Sequence, residues 1–167
     1  MPTGSLVMGK LIKFVLLPLL VAFGILQFFR GEYPEARLEN PADIHQSVEI
    51  SSEVSGLLRA ACYDCHSMET NYPWYSKIAP ISWTIIQHIR EGREELNFSE
   101  WENMSRRSRV KMLKETAEEI EEQGMPHPQY LRAHPEARLT DVQRQLLIDW
   151  ANQSARNTVK RADKDED

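Results

Sequence analysis

The sequence predicts an all-α protein, and three observations carry that expectation. Apolar residues recur at helical spacing in several stretches, Ser and Thr stand at helix-start positions before them, and nowhere do apolar and polar residues alternate with period two. At 167 residues the chain has room for one domain with a real core and a short extra segment. No internal repeat is present.

The first element is the stretch Leu11 to Phe29, apolar except for Lys13 and Gln27. At helical rise it reaches about 28 Å, close to the roughly 30 Å of bilayer hydrocarbon. It predicts one N-terminal transmembrane helix within residues 1–30. A cleaved signal peptide is the alternative, with Ala22-Phe23-Gly24 as small residues at cleavage-like spacing. The uncleaved anchor is preferred, because Ile25, Leu26, Phe28 and Phe29 continue the apolar run past that point. Lys10 and Lys13 ahead of it favour a cytoplasmic N-terminus, a single-pass protein in the cytoplasmic membrane and a body on the periplasmic side.

Residues 31–47, with Pro34 and Pro41 among charged residues, read as a tether. The folded domain is expected over 48–156. Its first helix places Val54, Leu57, Leu58 and Ala61 on one face, capped by Ser51 or Ser52, and runs into Cys62. A loop follows from His66 to Pro80. The next helix is capped by Ser82, carries Trp83, Ile86 and Ile89 and ends near Gly92. Ser99 and Glu102 match a capping box with Phe98 as its staple, and a helix starts there or at Ser108. Val110, Leu113, Ala117 and Ile120 give that helix its apolar stripe, with Gly124 as the C′ residue. Thr140 and Gln143 form a second capping box, before a closing helix with Val142, Leu146, Leu147 and Trp150 inward. Residues 157–167 read as a charged, frayed tail.

Charge excludes one class of partner. The chain carries 20 basic and 25 acidic residues, and residues 1–30 hold no acid, so the acidic excess belongs to the body. Nucleic-acid affinity rests on clustered Lys and Arg neutralising phosphates. No nucleic acid is expected.

The two cysteines of the chain stand in Cys62-Tyr63-Asp64-Cys65-His66, a C-x-x-C-H pattern. Two thiols three positions apart on a helical turn can reach the two vinyl groups on one porphyrin edge, and the following His presents a ring nitrogen to the iron. The pattern predicts one covalent haem c, bound by Cys62 and Cys65 and ligated by His66. A structural disulfide closes a small ring and leaves His66 unexplained. A thioredoxin-like pair needs βαβ surroundings, and zinc needs a second ligand pair.

An electron carrier takes a second axial ligand, for which Met68, Met104, Met112, Met125, His45, His88, His127 and His134 are candidates. Met125 is preferred: it follows Gly124 after a helix and precedes Pro126, on a stiffened loop ahead of the last helix, an order that resembles small class I cytochromes c. His127 is the rival. Trp74, Tyr75, Trp83, Trp101 and Trp150 are expected to be buried, as core or as haem-pocket walls. Arg93 is a candidate partner for a haem propionate.

These residues resemble the bacterial haem-binding domain family with a single C-x-x-C-H motif. The resemblance covers roughly residues 38–153. It rests on Cys62-Tyr63-Asp64-Cys65-His66-Ser67, Glu69-Thr70, Pro73-Trp74-Tyr75-Ser76, Ala79-Pro80 and Ser82-Trp83 in a central block. Glu91-Gly92-Arg93, Leu96-Asn97-Phe98-Ser99 and Trp101 form a second block; Met125-Pro126 and His134-Pro135-Glu136-Ala137 form a third. Met68 stands where the family often has Asn, and His127 where a second Pro is common. The resemblance implies a c-type haem site at Cys62, Cys65 and His66, and brings no established enzymatic reaction with it.

The sequence therefore predicts a cytochrome c-like helical domain transferring electrons to a redox partner protein at the membrane or in the periplasm, and not an enzyme. The alternatives are a haem-based sensor or peroxidase-like protein with an open distal site, and a non-haem interaction module with a structural Cys pair.

Overall fold

The computed structural model describes residues 12–165, all helix, turn and loop with no strand among them. The helices are α1 (Leu17–Leu26), α2 (Ser52–Ala61), α3 (Tyr63–His66), α4 (Ile81–Glu95), α5 (Arg106–Glu121), α6 (Pro128–Ala133) and α7 (Asp141–Asp165). Short 3-10 turns lie at Ile44–Gln46, Trp74–Lys77, Phe98–Asn103 and Pro135–Ala137. The all-α expectation holds.

The chain divides into two compact units. One comprises residues 72–88 with the described part of 1–34, and the other residues 35–71 with the described part of 89–167.

In the first unit, α1 follows a π-helical stretch, Ile12–Leu16. The hydrogen-bond register changes where Pro18, lacking an N–H, enters the helix. The helix stops at Gln27, whose amide nitrogen donates to Ala79 O (3.1 Å) while its oxygen accepts from Ala79 N (3.0 Å). Tyr33 donates to Ser76 O at 2.8 Å, Tyr72 to Pro34 O at 2.7 Å and Trp83 Nε1 to Phe29 O at 2.5 Å.

This corrects the predicted transmembrane helix. The described helical run, Ile12 to Leu26, reaches roughly 22 Å at 1.5 Å per residue, short of the roughly 30 Å of bilayer hydrocarbon. Among the described residues no helix is long and apolar enough to cross a membrane. Neither the anchor at residues 11–29 nor the single-pass placement with a periplasmic body is supported. Leu11 and the residues before it, Lys10 included, lie outside the described range.

The second unit is built on α5 and α7, its most extensive helix pair, with α2 packed against α7. Val54, Leu58, Leu113, Ala117, Ile120, Leu147 and Ala151 form the core with Phe98 and Trp101. Within the stretch read as a tether, Ile44 belongs to that core and is fully buried. Ser51 caps α2 by accepting from Val54 N, and Thr140 and Gln143 form the expected reciprocal capping box.

Local signals misplaced several boundaries. Helix α5 is capped by Ser105, and Ser99 is instead buried, its Oγ accepting from Met68 N at 2.9 Å. Helix α4 passes through Gly92 to Glu95. After α5 the left-handed residue is Gln123 (φ 61°), one before the expected Gly124. Val142 is 79% exposed rather than inward, and α7 continues as helix through the expected frayed tail to Asp165. Trp101 is buried and Tyr75 and Trp150 are half-buried, but Trp74 is 75% and Trp83 41% exposed, against the expected burial.

Candidate haem-binding site

Helix α2 ends at Cys62, whose backbone (φ −126°, ψ −40°) breaks the helix. The chain restarts as the single turn α3. Cys62 O accepts from both Cys65 N (3.2 Å) and His66 N (2.9 Å), winding C-x-x-C-H into one helical turn. Residues three apart in such a turn share a face, so the two thiols stand on one side with His66 beside the second.

His66 is held from behind. Its Nδ1 lies 2.8 Å from Gly92 O and 3.1 Å from Leu96 O. Carbonyl oxygens only accept, so Nδ1 carries the proton and Nε2 keeps its lone pair. Burial lowers the His66 pKa, opposed in part by those two carbonyl bonds, which keeps the ring in the neutral, metal-ligating form.

Gly92 lies inside α4 because α3 crosses it closely. A Cβ there would stand 3.0 Å from Cys65 O and 3.3 Å from both Cys65 C and Cys65 Cβ. The approach that requires glycine is the one that brings Gly92 O to the imidazole.

Cys62 and Cys65 are half-buried and unbridged. Burial, with the neighbouring Cys65 charge, pushes the Cys62 thiol up to about 12. Burial and then the Asp64 charge push Cys65 up to about 11, with Arg93 opposing. Both are neutral thiols at neutral pH.

The two residues between the cysteines anchor the turn. Tyr63 is buried, stacks on Phe98 (5.3 Å, 13°) and donates to Asp43 Oδ1 and Oδ2 at 3.1 and 3.2 Å. Asp43 is buried too, and it also accepts from His45, whose Nδ1 is 2.6 Å away and whose Nε2 is 2.9 Å from Ser55 Oγ. Asp64 Oδ1 accepts from Asn71 N (2.9 Å), and Asp64 Oδ2 from Tyr130 OH (2.8 Å). Burial and the Asp64 bond push the Tyr130 phenol well above its usual range.

Arg93 is tied to the segment that follows the C-x-x-C-H turn. Its Nε donates to Ser67 O and its Nη2 to Thr70 Oγ1, both at 2.9 Å, so it pins the segment that follows His66.

The structure brings Cys62, Cys65 and His66 together and sets Met125 on the turn after α5. Met125 is half-buried, its N donates to Glu119 O (3.2 Å), and its carbonyl accepts from Arg144 (3.5 Å). The rivals are variously engaged. Met104 and Met112 pack against the core, His45 is tied to Asp43 and Ser55, and His134 stacks on Tyr130 (4.2 Å) and pairs with Glu136. His127 caps α6, its Nδ1 accepting from Gln129 N at 3.3 Å. Met68 is half-buried just after the C-x-x-C-H turn, and His88 belongs to the first unit.

Asp64, Tyr130, Asp43 and the carbonyls of Gly92 and Leu96 were not singled out from the sequence. A glycine inside an amphipathic helical stripe was the one available signal. Among the described residues no three His, Cys, Asp or Glu side chains are grouped to hold a bare metal ion. His66 and the two thiols fit a porphyrin, which brings four nitrogens of its own and asks the protein for axial ligands and attachment points.

No curated protein and no solved structure matches the chain. A family model described as a haem-binding domain matches residues 21–153, a span that contains the whole site from Asp43 to Tyr130. The chain belongs to the haem-binding domain family, and its cofactor is haem.

Proposed function

We propose that the chain is a monohaem c-type cytochrome that carries electrons to or from a redox partner protein. In this reading Cys62 and Cys65 hold haem c covalently, His66 is one axial ligand and Met125 the other. The observation that carries it is the His66 imidazole, fixed by two carbonyls in the tautomer that leaves Nε2 free, on the same turn as two unbridged thiols.

Cys62 and Cys65 would hold the haem through thioether bonds; they are unbridged, and Asp64 and Tyr63, anchored to other elements, keep the two sulfurs on one turn. Bound haem supplies one-electron chemistry. Gly92 and Leu96 hold the His66 ring and, by accepting its proton, raise the basicity of Nε2 toward iron. Met125 is favoured as the second iron ligand because His127 spends Nδ1 on its helix cap and Met104 and Met112 pack against the hydrophobic core. Assignment as a carrier rather than a catalyst rests on the full axial set.

The test is a haem stain after denaturing electrophoresis of chain co-expressed with a haem-attachment system. A stained band that disappears in Cys62→Ala/Cys65→Ala supports covalent attachment, whereas the bare polypeptide mass in the wild type overturns it. A sulfur-to-ferric-iron charge-transfer band lost in Met125→Ala supports the second ligand. Its persistence assigns that position elsewhere.

A further inference from the structure

Away from the haem site, the second unit has a cleft of about 210 Å³ lined by Ser47, Val48, Trp101, Arg106, Arg109, Thr158 and Arg161. Three arginines on one cleft are conspicuous in a chain of net charge −5. They converge from the first turn of α5 (Arg106, Arg109) and the last turns of α7 (Arg161).

The way these guanidinium groups are held decides what the cleft can bind. Arg109 donates through Nε to Met104 O (3.2 Å) and through Nη2 to Glu102 O (2.8 Å), and Arg161 donates to Ser47 O (3.0 Å). Backbone carbonyls orient a guanidinium without cancelling its charge. Among the described residues one carboxylate reaches the group: Glu102 Oε2 lies 3.4 Å from Arg109 and its other oxygen accepts from Ser47 Oγ. Arg106 has no hydrogen bond or ion pair among the described residues. Each guanidinium has five N–H donors; among the described residues Arg109 leaves its Nη1 unused, Arg161 all but one donor, and Arg106 all of them. Trp101 adds a further donor, a buried indole N–H without a partner among the described residues.

We propose that this cleft is a binding site for a small, multiply charged oxyanion of the phosphate or polycarboxylate class, with Arg106 and Arg161 as its principal ligands and Arg109 as an oriented third. Two guanidinium groups with unused donors, one of them oriented by Ser47 O, match a compact dianion, by the fork geometry that suits guanidinium to phosphate and carboxylate. The proposal is independent of the haem reading.

The test is calorimetric titration of the full purified chain with inorganic phosphate and, in a second arm, citrate, against sodium chloride at equal ionic strength. Saturable binding of either, weakened about tenfold or more in Arg106→Gln and again in Arg106→Gln/Arg161→Gln, supports the site. Arg138→Gln, an exposed arginine that does not line the cleft, is expected to bind as the wild type. The phosphate and citrate arms separate the two sources of the anion. No binding beyond the chloride control, or binding unchanged in the double variant, overturns the proposal.

Discussion

Replacing Gly92 with alanine tests the packing on which the haem site rests, and Gly56→Ala supplies the internal control. Both glycines lie inside helices, where alanine is favoured over glycine by about 1 kcal/mol. Gly56 is exposed and a Cβ there meets nothing within 4 Å, so Gly56→Ala should stabilise by about 0.5–1 kcal/mol. At Gly92 the same gain is opposed by a backbone oxygen at 3.0 Å and two further Cys65 atoms at 3.3 Å. That backbone cannot retreat easily, because Asp64 O accepts from Thr70 Oγ1 at 2.7 Å and Asp64 is tied to Tyr130. Overpacking of this kind costs about 1–3 kcal/mol. Loss of alignment between His66 Nδ1 and Gly92 O removes about 1 kcal/mol more. The expected result is net destabilisation of about 1–3 kcal/mol at Gly92, and a gap of roughly 4–8 °C or more between the two variants in thermal unfolding followed by circular dichroism. A Gly92→Ala protein as stable as Gly56→Ala, with its haem stain intact, would refute the close approach.

Tyr130→Phe removes a hydroxyl donating to Asp64 at 2.8 Å and should destabilise by about 1–2 kcal/mol in denaturant titration; an unchanged midpoint would show that the bond is not made. Arg93→Gln loses charged bonds to Ser67 O and Thr70 Oγ1 and should cost about 2 kcal/mol, with Arg93→Lys restoring little because lysine lacks the planar fork; full rescue by lysine would contradict that geometry. In haem-free chain the Cys65 thiol, pushed up to about 11, should react with iodoacetamide at pH 8 roughly a hundredfold more slowly than in the denatured chain, its rate still climbing at higher pH; equal rates would rule out the burial. The same shift carries a stability sign: above the ordinary thiol range the unfolded chain has lost a proton that the folded chain retains, so stability of the haem-free chain should fall as pH rises from about 9 toward 11.

What was legible in the sequence was local. The stripes of α2 and α5, that of α7 apart from Val142, and the caps at Ser51 and Thr140 depend on neighbours within a few positions, and those readings stand. C-x-x-C-H was legible for the same reason, since the turn that groups its members is closed by Cys62 O. The misreadings share a long-range cause. Gly92 looked like a helix end because glycine commonly is one, while its actual reason, the Cys65 backbone, lies 27 positions earlier in the chain. Ser99 looked like a cap, yet its hydroxyl is buried against Met68 N. Gln27 looked like a stray polar residue in a membrane span; its amide is bonded to both backbone groups of Ala79, and the helix ends there.

The site is assembled from a helix that runs one turn beyond its sequence signal. Had α4 ended at Gly92, its last carbonyls would point elsewhere; because it continues to Glu95, Gly92 O accepts from Leu96 N (2.9 Å) and from His66 Nδ1 together, and Leu96 O stands just past the helix end. Carbonyls at a helix C-terminus carry partial negative charge, and each has a second lone pair for a further donor. Here two of them receive the one imidazole proton, so a helix terminus is satisfied by a side chain that is itself oriented by being used. The glycine that admits the approach, the helix end that supplies the acceptors and the imidazole that needs one tautomer are thus parts of a single packing solution. Changing any one of them should disturb the other two, although they are far apart in the chain.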